Sequence, residues 1–307
     1  MKIGLVTCSD LPALIPGDQL LQKELLARGH NAQAVVWDSE VEWESFDCLI
    51  IRNPWDYSWR ITEFLRWVTH IERLEILLHN PPAMIRWNSS KGYLRELQTA
   101  GIAIPETEWI PSGVVLNLKR ILEERKWQES VVKPLISASA RDTFRFTINE
   151  ADELSAEIAK LRKTGVMLAK HSYDLHTAHR EARPERDWMV QEFLPEILES
   201  GEFSFVFFNG NYSHTINKTP KAGDYRIQQR HGGTYRAAAP DQNLISQART
   251  VLSKIPFDKL PLYARVDGII RNNQLILTEL ELLEPDLYFA TCPEGVKRFV
   301  DIFEEMS

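Results

Sequence analysis

Long apolar runs are missing from this chain. No stretch approaches the ~18 residues that a membrane-spanning helix requires. The N-terminal MKIGLVTCSD has one lysine and an apolar run that stops at Ser9-Asp10, too short for the apolar core of a secretory signal. Cysteine is scarce. Cys8, Cys48 and Cys292 are odd in number and far apart, which excludes a disulfide framework and a zinc-ligand spacing. Cys8 and Cys48 lie in or beside apolar runs and read as small core residues in a reducing compartment. An excess of positive charge is also absent. With 36 Lys+Arg against 43 Asp+Glu the net charge is −7, which argues against nucleic acid or an anionic membrane as the main partner. No internal repeat or low-complexity segment interrupts the chain. The expectation is a cytoplasmic globular protein.

Apolar residues make up 44% of the 307 residues, ample for sizeable cores, and the length suits two domains or three small ones. The first part alternates strand-like runs (2–8, 32–37, 47–52, 77–81) with helical patterns at 18–28 and 59–75. Such alternation predicts a parallel sheet with helices on its faces. Asn88-Ser89 can cap a helix running to Ala100, stopped by Gly101. The middle region carries strands at 130–134, 143–146 and 166–170 and a helix from Asn149 to about Lys163. The last part holds strands at 188–195, 202–208 and 212–217, helices at 241–254 and 294–305, and a hairpin.

That hairpin, YARVDGIIRNNQLILTELELLEP (263–285), poses the chemical question. Asn272-Asn273 suits a two-residue turn because Asn tolerates positive φ. Asp267 precedes the turn and Glu279 follows it at distances that let them meet across the ladder, and Glu279 and Glu281 point to one face. Three carboxylates on one face repel unless a cation binds them, and oxygen ligands of this kind suit Mg²⁺. The competing reading is a solvent-facing acidic strand with Leu280, Leu282 and Leu283 turned inward.

Basic residues bear on that choice. Lys133 ends the strand VVKP, and small residues follow it, Ser137, Ala138, Ser139 and Ala140, whose backbone amides could approach a phosphate. A second group, Lys218, Lys221, Arg226, Arg230 and His231, reads as a mobile basic loop. Arg265 shares a strand face with Asp267, as a substrate-pocket cation or as half of an ordinary ion pair.

These pieces occur in an order that resembles the ATP-grasp superfamily. They are Lys91 after Asn88, VVKP (131–134), QEFLP (191–195), GE (201–202), DYR (224–226), ARVDG (264–268) and TELE (278–281). Within it the chain is most similar to the branch of glutathione synthetase and the cycloserine-forming cyclase, and IIRNPWDY (50–57) is similar to a run before the grasp domain in cyclase-like proteins. The resemblance implies an α/β fold with an antiparallel, α+β C-terminal part: an N-terminal Rossmann-like pre-ATP-grasp domain (1–87), a middle lid subdomain (88–190) and a C-terminal subdomain (191–307), with ATP between the last two.

It also implies roles. Lys91, Lys133 and Ser139 would contact ATP phosphates, with Lys133 also near adenine. Gln191, Phe193 and Leu194 would line the adenine and Glu202 would hold the ribose. Arg226 and Arg265 would neutralise the transferred phosphoryl group, and Asp267, Glu279 and Glu281 would bind two Mg²⁺ ions, with Mn²⁺ also compatible. Phosphoryl transfer rests on positioning and cations, in line with these residue types. The sequence departs from the family where ISASARD (136–142) replaces a glycine-rich phosphate loop and where Glu281 replaces a frequent Asn. The implied activity is ligation of a small-molecule carboxylate to an amine or similar nucleophile. Intramolecular cyclisation and a non-catalytic ATP-binding module are the alternatives, and homo-oligomeric assembly is left open. The acceptor side is expected to draw on Arg52, Asp56 and the basic loop, and Trp55 divides between core and pocket.

Other features carry less. His176 and His179 follow His171 by five and eight residues, which on a helix puts His176 well away from His171 and disfavours a metal site. Trp37, Trp67 and Trp109 read as core residues. Arg141 and Arg145 suit a phosphate contact or surface ion pairs alike.

Overall fold

The computed structural model describes residues 1–138, 140–164, 186–221, 224–227 and 232–306. Ser139, the expected strand at 166–170, His171, His176, His179, Arg230 and His231 lie outside the described residues. The chain begins with β1 (Lys2–Thr7), α1 (Pro16–Ala27), β2 (Asn31–Val36), β3 (Cys48–Asn53), α2 (Ile61–Arg73) and β4 (Leu77–His79). Then come α3 (Pro82–Asn88), α4 (Tyr93–Thr99), β5 (Thr107–Ile110), α5 (Leu118–Arg125), β6 (Glu129–Pro134), β7 (Phe144–Thr147), α6 (Ala151–Thr164) and β8 (Trp188–Glu192). The remainder is α7 (Glu196–Glu199), β9 (Glu202–Phe208), β10 (Asn211–Thr219), β11 (Thr234–Ala238), α8 (Gln242–Leu252), β12 (Tyr263–Arg271), β13 (Gln274–Glu281) and α9 (Glu294–Met306).

Two compact units result, one formed by Met1–Ala103 with Glu196–Ser307 and the other by Ile104–Pro195. The first unit carries two sheets. One is parallel, in the order β2-β1-β3-β4, as the alternating pattern predicted. Its central strand β3 is buried at every position, its apolar start (48–51) and its polar end Arg52-Asn53 alike. The second sheet is antiparallel, in the order β11-β10-β9-β12-β13. Both sheets feed one core. Ile3, Leu5 and Ile50 from the parallel sheet share a cluster with Val206, Phe208 and Tyr263 from the antiparallel sheet and Phe299 and Phe303 from α9. Helix α9 joins this cluster because Val296, Phe299, Val300 and Phe303 recur at helical spacing along one face. Cys8, Cys48 and Cys292 are buried free thiols, the first two as expected.

The second unit is a four-stranded antiparallel sheet, β5-β8-β6-β7, flanked by α5 and α6. Its core joins Leu118, Leu122, Val132, Phe146, Ile158, Trp188 and Val190. Asn117 caps α5 by accepting from the Arg120 amide at 2.9 Å.

Three local expectations change. Asn88 does not cap a helix; it is the last residue of α3, which the two prolines at 81 and 82 initiate. Its side-chain amide instead donates to the Leu280 carbonyl at 2.8 Å and accepts from the Leu282 amide at 2.7 Å. Trp37 and Trp67 are buried core residues, whereas Trp109 is half-buried. Lys218 is not part of a loop but lies within β10, buried.

Candidate active site

The hairpin β12–β13 turns at Asn272 and Asn273, whose φ angles are +52° and +60°, the left-handed pair a two-residue turn needs. From the turn the register runs Arg271↔Gln274 to Gly268↔Leu277, then shifts so that Asp267 faces Glu279 and Arg265 faces Glu281. The shift is a bulge beside Gly268 in which Thr278 is the extra residue on β13; a Cβ added at Gly268 would stand 2.7 Å from the Ile276 carbonyl oxygen. The bulge is what brings Asp267 level with Glu279.

Neighbouring strands extend the same face. Asp267 is level with Ser204 of β9, and Glu202, two residues earlier, is level with Lys218 of β10. Ser204 Oγ donates to Asp267 at 2.6 Å, and Lys218 Nζ lies 2.6 Å from Glu202 and 3.0 Å from Asp267. Arg265 donates to Asp267 from Nε at 3.0 Å and from Nη2 at 2.9 Å, also pairs with Glu281, and reaches the Asp286 carbonyl at 3.0 Å. Lys91 Nζ stands 2.9 Å from Glu279. Thr278 donates to Glu202 at 2.6 Å.

The electrostatics follow from burial. Desolvation alone would raise the Asp267 carboxyl, but Arg265 and Lys218 hold it down to about 2. Burial would likewise lower the Lys218 ammonium, and Asp267 and Glu202 carry it well above its ordinary range instead. Glu281 is pushed well above the carboxylate range by burial, and the charges of Glu279 and Glu284 add to the effect against Arg265. One oxygen from each of Asp267, Glu279 and Glu281 lies within 4.8 Å of the others. The solvent-facing alternative therefore fails for Asp267, which is 1% exposed, while Leu280, Leu282 and Leu283 do turn inward. A compact all-oxygen set with a surplus of negative charge fits a hard divalent cation.

The remaining sequence-derived residues fall in three places. Arg226 pairs with Asp224 at 2.6 Å and holds that carboxyl down to about 2. In the second unit Lys133 is level with Met189 in the β6–β8 ladder, and Gln191 donates to Thr107 at 3.0 Å. Phe193 and Leu194 are buried, with the Arg145 guanidinium 3.9 Å over the Phe193 ring. Arg145 also pairs with Glu129 of the neighbouring strand. Arg52, expected on the acceptor side, is instead a buried structural cation: it donates to Asp18 at 2.7 Å and to the Pro285 carbonyl at 2.8 Å. Asp56 accepts from the Trp37 indole at 2.9 Å.

The chain-wide comparison decides the fold. The solved structure of D-cycloserine synthetase DcsG superposes with a TM-score of 0.83 at 23% identity, over 100% of this chain and 99% of that one. An ATP-grasp ligase, PsnB, with a phosphomimetic variant of its minimal precursor, Mg and ADP, superposes with a TM-score of 0.59 at 12% identity, over 99% of each chain. The chain has an ATP-grasp fold. D-alanine–D-alanine ligase from Bacillus anthracis, complexed with ATP, gives 0.66 at 14% identity over 99% and 96% of the two chains. In sequence, the ATP-grasp chain is 26% identical over 287 residues to the cycloserine biosynthesis protein DcsG of Streptomyces lavendulae, 90% of this chain and 89% of the relative. It is 25% identical to a glutathione synthetase of Prochlorococcus marinus over 76% of this chain and 69% of that protein. The family model for the DcsG N-terminal domain matches residues 3–80. Among the described residues no helix is long and apolar enough to cross a membrane.

Sequence reasoning missed Ser204 and placed Lys218 in a basic loop instead of on this face. Lys218 carried a usable signal: it follows Ile216 by two residues in a strand pattern, so it shares the inward face of that buried isoleucine.

Proposed function

We propose that this protein is an ATP- and Mg²⁺-dependent ligase for a small-molecule carboxylate. The observation that carries the reading is the single sheet face on which Asp267, Glu279 and Glu281 converge beside Lys91, Lys218 and Arg265. Asp267, Glu279 and Glu281 would hold two Mg²⁺ ions, for which Mn²⁺ is a plausible substitute, and bound metal would neutralise phosphate charge. Glu202 would take the ribose. Lys91, Lys133 and Ser139 are assigned to the phosphates, Gln191, Phe193 and Leu194 to the adenine. Arg265 and Arg226 are assigned to charge on the transferred phosphoryl group, Arg226 from its segment beside Asp224. The functional division into 1–87, 88–190 and 191–307 is retained, as is a cytoplasmic location.

In the reaction a substrate carboxylate oxygen attacks the γ-phosphorus, and the bond to the ADP oxygen breaks. The amine nitrogen then attacks the acyl carbon, loses a proton, and phosphate leaves with the electrons of the broken C–O bond. The chain's own groups hold the oxygens in line and balance their charge, which is most of what phosphoryl transfer asks of a protein. The likeness to the cycloserine proteins over nine-tenths of the chain favours a second form, in which the nucleophile belongs to the same molecule as the carboxylate.

The test is ADP release with Mg-ATP and pooled carboxylates and amines, with products weighed by mass spectrometry. Ligation gives the mass of two substrates less one water; cyclisation gives one substrate less one water. ADP release from the wild type that equals release from Glu279→Gln across broad pools removes the support for both forms.

A further inference from the structure

Residues 282–287 follow β13 outside any helix or strand, yet all but Asp286 are buried. Six successive carbonyls in this segment each accept from a different side chain. Asn80 Nδ2 donates to Leu282 at 2.7 Å, and the Tyr263 hydroxyl donates to Leu283 at 3.1 Å. Trp55 Nε1 donates to Glu284 at 3.2 Å, and Arg52 Nη2 donates to Pro285 at 2.8 Å. Arg265 Nη1 donates to Asp286 at 3.0 Å, and His214 Nε2 donates to Leu287 at 2.9 Å. Arg52, Trp55 and Asn80 come from the parallel sheet and its loops; His214, Tyr263 and Arg265 come from the antiparallel sheet.

A connection that only linked β13 to α9 could run over the surface and leave its carbonyls to water. A buried one must find a donor for each carbonyl. Here the donors are side chains that are themselves fixed. Arg52 is fully buried, donates from Nε to Asp18 at 2.7 Å and stands 5.2 Å over the Tyr263 ring. His214 Nδ1 lies 2.8 Å from Ser213 Oγ, and its Nε2 holds the proton because a carbonyl only accepts. Arg265 joins the segment to the carboxylate face. Its guanidinium gives Nε and Nη2 to Asp267, pairs with Glu281 and gives Nη1 to the Asp286 carbonyl. A metal ion on Asp267 and Glu281 would compete with Arg265 for their oxygens, whereas the Asp286 carbonyl stays with it.

We propose that Arg52, with Trp55 beside it, is a positioning residue for phosphoryl transfer: by holding the Glu284 and Pro285 carbonyls the two side chains fix the next carbonyl, Asp286, which aims Arg265 at the transferred group. The inference rests on the ligase reading above and on its assignment of Arg265. Positioning of this kind acts on the transition state, where a misplacement of about 1 Å can cost on the order of a hundredfold in rate. Binding of ADP, which lacks the transferred group, does not draw on it.

The experiment uses the full chain and three variants. Arg52→Leu combined with Asp18→Leu removes both halves of the buried pair, Trp55→Phe removes one indole donor, and Val68→Ala is a core substitution in α2. Calorimetry compares Mg-ADP with Mg-ADP plus aluminium fluoride, a mimic of the transferred phosphoryl group. ADP release with Mg-ATP and the pooled substrates is followed in parallel. In the wild type the mimic tightens ADP binding by about a hundredfold or more. The double variant binds Mg-ADP within about threefold of the wild type but loses roughly tenfold to hundredfold of that gain. Trp55→Phe loses about threefold to tenfold of it, the scale of one hydrogen bond, and Val68→Ala keeps it. The gain is a ratio within each variant, so partial loss of folded protein cancels, and Trp55→Phe decides the question if the double variant does not fold. A gain that survives in both variants, that falls equally in Val68→Ala, or that never appears in the wild type overturns the proposal. A gain that depends on Arg52 and Trp55, without ADP release from any pool, leaves this inference standing and removes the ligase reading alone.

Discussion

Asp267 and Glu279 face each other across the β12–β13 ladder, brought level by the bulge beside Gly268. Two carboxylates in that relation repel, and Lys91, Lys218 and Arg265 offset the repulsion from three sides. The arrangement predicts a clear division between residues that serve ligand binding and residues that hold the fold.

Lys218 belongs to both groups. It is 3% exposed and pairs with Glu202 and Asp267. Lys218→Ala leaves Glu202 without this cation and Asp267 with Arg265 alone, and removing one partner of a buried pair destabilises by about 3–5 kcal/mol. Denaturant unfolding followed by circular dichroism checks this. A loss below about 1 kcal/mol, the scale of an exposed pair, would show that Lys218 is solvated in solution.

Much of this fold was legible in the sequence because period and turn chemistry agree. The aliphatic runs of β1 and β3 announce a sheet buried on both faces, and Asn272-Asn273 announces the hairpin that carries the carboxylates. The Asp267–Glu279 contact was within reach of strand spacing, although the bulge that fixes it is a tertiary event beside Gly268. Other roles were hidden because one residue type serves several ends. Asn88 is a good helix cap by type, yet its amide is spent on the backbone of 280–282. Arg52 looked like a substrate cation because nothing in sequence links it to Asp18, thirty-four residues away.

Arg52 provides the next prediction. As a buried structural pair with Asp18, Arg52→Leu alone should destabilise by about 3–5 kcal/mol, while Arg52→Leu combined with Asp18→Leu should recover most of that loss. Thermal and denaturant unfolding of the two single variants and the double variant form the cycle. Additive losses would mean that the two side chains do not depend on each other.

Acid stability should report His79. Burial pushes its imidazole down to about 4, and its Nε2 has no hydrogen-bond partner among the described residues. In the unfolded chain the ring titrates near its ordinary value of about 6.5. Between those values the unfolded state binds the extra proton, so stability is fully present above about pH 6.5 and is lost as pH falls toward about 4. The loss from this one group is roughly 3 kcal/mol at the lower limit. Unfolding free energies measured from pH 7 to pH 4 should show a shallower decline in His79→Phe than in the wild type. Equal slopes would rule out His79 as the source.

The central claim is that Asp267, Glu279 and Glu281 form a divalent-metal face for ATP. Calorimetric titration of ATP into the wild type, Asp267→Asn and Glu279→Gln at several Mg²⁺ concentrations tests it most directly. The account predicts Mg²⁺-dependent ATP binding in the wild type and a loss of about tenfold to hundredfold in each variant, the scale seen when metal coordination is disturbed. ATP affinity that is the same in all three proteins at every Mg²⁺ concentration would contradict it.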